Sequence, residues 1–88
     1  MDIYPGALVV ATAGRDKDKF FVVLTNDDNY AYISDGRTRK VDVPKKKKLK
    51  HLKTTDYVSE TLKEKLICGQ MVTNSMVRKE IRTYISDD

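Results

Sequence analysis

"GALVVATAGRDKDKFFVV", residues 6–23, decides how this chain is read. Two apolar, β-branched runs, 6–12 and 20–24, flank a polar stretch that contains Gly14. Such runs suit a pleated, buried surface. Both are strand-sized and fall far short of the ~18–20 apolar residues of a membrane span. A polar turn with a glycine therefore joins two strands. One register buries Leu8, Val10, Phe21 and Val23. The opposite register buries Val9, Phe20 and Val22, and a closed barrel buries parts of both.

Three further segments extend this pattern. "NYAYIS" (29–34) alternates, with Tyr30 and Tyr32 on one face and Ala31 and Ile33 on the other. "TNDDN" before it and "SDG" after it are turn chemistry. "RTRKVDV" (37–43) alternates up to Pro44, with Val41 as a core candidate, and "LKHLK" (49–53) reads as a short last strand. Five short strands with tight turns predict a small closed or nearly closed barrel over residues 1–54. The period then changes to helical. Ser59 can cap a helix lined by Val58, Leu62 and Leu66, which Gly69 stops. Thr73 can cap a second, with Val77, Ile81 and Tyr84 or Ile85 at helical spacing. The expected fold is mainly β with α, residues 55–88 forming a two-helix extension packed on the barrel.

Composition bounds the function. The 88 residues carry a net charge of +4. Between Arg37 and Lys53 lie nine Lys/Arg and one Asp, so the rest of the chain is net acidic. Charge gathered in one segment is the mark of a polyanion footprint. The single cysteine, Cys68, excludes a disulfide scaffold, and "MDIYPG" does not read as a secretory signal. A reducing, cytoplasmic setting is expected, with no membrane partner.

Chemistry-bearing motifs are scarce. One His and one Cys cannot assemble a zinc set. Neither a GxxxxGK phosphate loop nor a GxSxG elbow is present. Asp27 and Asp28 read as turn formers, and Cys68 as a small buried or half-buried apolar residue. No enzyme, cofactor or metal is expected.

The basic residues carry more. Arg15 and Lys17 in the first turn either form local ion pairs with Asp16 and Asp18 or reach phosphates. In the second segment stand Arg37, Arg39 and Lys40, then Lys45, Lys46, Lys47, Lys48, Lys50 and His51. A run of lysines alone reads equally as a solvated face. Pro44 at its start, and Leu49 and Leu52 as anchors, favour an ordered surface that presents lysines outward to an anionic partner. Tyr30 and Tyr32 either pack in the barrel or offer a ring for base stacking.

Residues 6–23 resemble the KOW motif, a β-hairpin element of ribosomal and transcription proteins built around a central glycine, here Gly14. "YISDGRTRKVDVPKKKKLKHL" (32–52) resembles small bacterial KOW-domain RNA-binding proteins, themselves similar to KOW-type large-subunit ribosomal proteins of archaea and eukaryotes. The match covers roughly residues 5–53. It implies an SH3-like barrel and non-enzymatic binding to RNA, ribosomal RNA or the ribosome in the first place. The residues carried over are Gly14, Arg15, Asp16 and Lys17, then Arg37, Arg39, Lys40 and Lys45 to His51. Asp18 departs from the family, which often has glycine there. Asp tolerates a left-handed turn, but its carboxylate repels a phosphate. The alternative reading is a protein-interaction module that docks on a translation or transcription factor.

Overall fold

Consecutive residues of the first hairpin are buried, so the sheet they form must be covered on both faces. The computed structural model describes residues 3–86. Its strands are β1 (Ala7–Ala11), β2 (Phe20–Asn26), β3 (Tyr30–Ser34), β4 (Lys45–Lys48) and β5 (Leu52–Val58). A 3₁₀ turn at Leu49–His51 joins β4 to β5, and helices α1 (Glu60–Ile67) and α2 (Asn74–Ser86) follow. The strands form one antiparallel sheet in the order β4-β3-β2-β1-β5. The protein is thus a small mixed α/β domain, an open five-stranded sheet with two C-terminal helices.

The inner face packs against itself. Val9, Phe21, Val23, Ala31 and Ile33 are fully buried in a cluster that strand residues make up, with Ile3 and Leu49 at its border. Among the described residues no second layer covers this face, so the sheet must curl. Closure into a barrel, expected from the sequence, is not formed: no ladder joins β4 to β5. The 3₁₀ turn bridges the edges instead. Leu49 N–H donates to the Asn29 carbonyl, and the His51 carbonyl accepts from Thr12 N–H, at 2.9 Å each. The outer face is covered by the helices. Leu8 and Val22 meet Leu62 of α1 and Val77 of α2. Phe20, Tyr57 and Tyr84 add tilted ring pairs at 5.6–5.7 Å. Both registers are therefore buried. Leu8, Phe21, Val23 and Ile33 are in the core as expected, Val9 and Val22 join them, and Val10, Val41 and Phe20 are half-buried.

Several element boundaries differ from the sequence reading. Residues 37–43 form a hydrogen-bonded loop rather than a strand, because Asp35 and Ser34 capture its backbone. The lysine run is itself β4, paired with β3 from Tyr30↔Lys48 to Ile33↔Lys45. The last strand starts at Leu52 rather than Leu49 and runs to Val58, beyond the expected boundary at 54. Thr54, Thr55 and Tyr57 suit a strand, and Val58 pairs with Ala7 instead of lining α1. The caps are as read: Ser59 Oγ accepts from Leu62 N–H, and Thr73 Oγ1 from Met76 N–H, both at 3.2 Å. Gly69 follows α1 in the left-handed region, and Cys68 before it is exposed rather than buried or half-buried.

The start of α2 is held against the loop after β3. Asn74 Oδ1 accepts from Val41 N–H at 2.9 Å, and Arg78 Nη1 donates to the Gly36 carbonyl at 2.7 Å. Gly36 has φ +74, and a Cβ there would stand 2.5 Å from the Asn74 carbonyl oxygen. Gly36→Ala should therefore cost at least ~1–2 kcal/mol from the left-handed backbone alone, roughly 5–15 °C in Tm. A thermal melt that superimposes on wild type would refute this account of helix docking.

Candidate nucleic-acid interface

Period-2 geometry splits the lysine run. Ala31 and Ile33 of β3 face the inner core, so their partners Lys47 and Lys45 lie on that side. Lys46 and Lys48 lie on the outer side, opposite Tyr32 and Tyr30. Lys47 is buried, and its Nζ donates to the Ala13 carbonyl at 2.8 Å. Its stem covers the core while its amine closes the first loop. Lys47 is thus not an outward-facing cation, contrary to the expectation for the whole run. Lys45 is half-buried, whereas Lys46 and Lys48 are exposed.

The loop 12–19 rests on this amine. Gly14 takes φ +82, and a Cβ there would lie 3.1 Å from Lys47 Nζ. Asp16 is buried, and its Oδ2 accepts from Arg39 Nη2 at 3.0 Å. Arg39 is correspondingly committed, its side chain 30% exposed. Its Nε is buried without a partner among the described residues. Its guanidinium is not the solvent-facing fork that the sequence suggested. Asp18 takes φ +70, the one positive value at a described residue other than glycine. The departure from the KOW pattern therefore keeps the left-handed turn. Arg15 and Lys17 are exposed on this loop.

The second loop is organised by a carboxylate. Asp35 accepts from the backbone N–H groups of Arg37 and Arg39 and from the Thr38 hydroxyl, at 2.9–3.0 Å. Ser34 Oγ donates to the Arg39 carbonyl and accepts from Gly36 N–H. Arg37 and Lys40 are left exposed. Partial burial alone would push the Asp35 carboxyl up. The bonds from Arg39, Arg37 and Thr38 outweigh it and hold the carboxyl below its ordinary value of 3.8.

The structure therefore brings Arg15, Lys17, Arg37, Lys40, Lys46, Lys48 and Lys50 to the surface. Arg39 and Lys47 are internal clamps, and His51 is half-buried, its carbonyl tied to Thr12. The outer face of β3 adds Tyr30 and Tyr32, both half-buried and outside the two cores. Lys46 Nζ sits 4.4 Å above the Tyr30 ring. No protein-family model and no curated protein matches the chain.

Two outcomes test this division. Lys47→Ala should lower Tm by several degrees, because the half-buried Ala13 carbonyl loses a charged donor worth ~1.5–3 kcal/mol, while Lys46→Ala and Lys48→Ala leave the melt within about 2 °C. Equal melts for all three would remove Lys47 as a clamp. For Asp35, a depressed folded-state pKa means stabilisation that is full above pH ~4 and lost as pH falls through the folded value. Asp35→Asn should thus destabilise at pH 7, and the gap to wild type should shrink by pH 3. A gap independent of pH would show that the ionised carboxylate does not organise the loop.

Proposed function

We propose that the chain is a non-enzymatic, ribosome-associated RNA-binding protein of the KOW type. The single observation that carries this is the exposed cationic surface described above, which its own buried members hold in place. Buried Asp16 and Lys47, with half-buried Arg39, tie the first loop to the basic segment. That link sets Arg15 and Lys17 of the first loop and Arg37, Lys40, Lys46 and Lys48 on one continuous framework. Phosphate contacts supply most of the affinity of such a surface and bases contribute few contacts. Tyr32 beside Lys46 offers a ring for an unstacked base. Five antiparallel strands curled over a core of their own support the SH3-like reading implied by the KOW resemblance. Ribosomal RNA in the cytoplasm is the target that the same resemblance supports.

One observation favours a second reading. Ile67, at the end of α1, and Met71, beyond it, are 65% and 80% exposed. Apolar side chains left outside the core suit a docking surface for a translation or transcription factor. Crosslinking in native lysate, followed by sequencing of bound RNA, separates the two. Recovery of a protein partner without RNA would favour docking.

Binding should follow salt. With four to six phosphates contacted, log affinity should fall against log salt with a slope of roughly −3 to −5. Lys46→Ala and Lys48→Ala should each flatten the slope by about 1 and weaken any RNA alike. A slope near zero for the wild-type protein would sink the proposal.

A further inference from the structure

A cleft of about 320 Å³ lies between the start of β2, the loop 35–37 and the side of α2 that carries Arg78, Ile81, Arg82 and Ile85. Its volume is within the ~300–1,000 Å³ of small-ligand sites. Lys19, Arg37, Arg78 and Arg82 line it, with Asp35 as a lining carboxylate. Asp35 is already committed to the loop amides. Arg78 is anchored to Gly36 and Ser75, so it forms a fixed wall. Lys19, Arg37 and Arg82 are exposed. Phe20, Ile81 and Ile85 make the floor, and Ile85 remains 54% exposed.

We propose that this cleft receives one unpaired nucleotide of the bound RNA, its phosphate among Lys19, Arg37 and Arg82 and its base on the apolar floor. The inference rests on the RNA-binding reading and deepens it. Arg37 belongs both to the cleft and to the basic surface, so one strand can run continuously from one to the other. A duplex presents phosphates but no free base face, and would leave Ile81 and Ile85 uncovered. An unpaired nucleotide supplies the anion and the flat apolar surface together. Neither Arg82 nor Ile85 lies in the segment that resembles the KOW proteins. On this view α2 acts as a second wall of the binding surface as well as a cover for the core.

The test compares a 12-base-pair RNA duplex with the same duplex carrying one bulged adenosine, by fluorescence polarisation at a single salt concentration. Wild type should prefer the bulged RNA by about fivefold or more, the lower end of what stacking one base contributes. Arg82→Ala and Ile85→Ser, both surface changes checked by thermal melts, should bring that preference near one. Ile85→Ser should leave affinity for the plain duplex, which does not cover Ile85, within about twofold. Equal binding of both RNAs by wild type overturns the cleft and leaves the RNA reading standing. Binding of neither RNA overturns both. Variants that keep the preference place the bulge elsewhere and also overturn the cleft. A further arm titrates ¹⁵N-labelled protein with a poly-glutamate peptide. Shifts at α2 amides with the peptide and none with the bulged RNA would give the cleft to an acidic protein segment instead.

Discussion

Neighbouring residues that are all apolar cannot be satisfied by a sheet with one wet face. Leu8 with Val9, and Phe21 through Val23, put side chains on both sides of the same two strands, and all five are buried. Each is worth ~1.5–3 kcal/mol when removed from water. An 88-residue chain buries only about 60–65% of the surface its unfolded form exposes. Neither face can be left open. The inner face has only other strands to meet, so the sheet curls around Phe21 and Ile33. The outer face has only the C-terminal segment, and α1 and α2 are too short to persist without it. The two helices are therefore part of the fold rather than an appendage, and α2 reaches the loop after β3 as a consequence of covering Val22.

Curling brings charged groups into positions where they must be paired. Asp16 is buried beneath the first loop, and an isolated carboxylate there would be prohibitively costly. Arg39 answers it from the second loop, and Lys47 answers the Ala13 carbonyl from β4. Whether such a buried pair adds net stability is set by its desolvation. Its geometric effect is separate: it allows one relative placement of the two loops. The exposed cations inherit that placement, because Arg15 and Lys17 flank Asp16, Lys40 follows Arg39, and Lys46 and Lys48 flank Lys47.

Local rules are legible in the sequence where nothing distant competes. The alternation of Tyr30 and Tyr32 against Ala31 and Ile33, the caps at Ser59 and Thr73, and the left-handed tolerance of Asp18 all depend on immediate neighbours. Structure departs from these local rules where a side chain replaces the expected backbone partner. In residues 37–43 the alternation suited a strand, but the Asp35 carboxylate takes the amides of Arg37 and Arg39 that a ladder would have used. In the lysine run, a charge sum treats four residues alike, whereas period 2 sends Lys47 to the core side and Lys46 to the surface. Arg78 and Arg82 carried no signal at all. Their place beside Arg37 comes from the long-range contact of α2 with the loop at Gly36 and Val41.

The same logic assigns different consequences to the two carboxylates of the first loop. Asp16 is spent on Arg39, so it adds little repulsion to an approaching phosphate. Asp18 is exposed at φ +70, where it preserves the turn a glycine would make but leaves its charge next to Lys17 and Lys19. A phosphate near Lys17 meets both signs within one residue, and the net attraction there is small. On the proposed function, the loop then orients the RNA while attraction falls mainly to Arg37, Lys46 and Lys48, which have no carboxylate as an immediate chain neighbour. Affinity is thereby carried by the second loop and β4 and orientation by the first loop, joined through the Asp16–Arg39 pair.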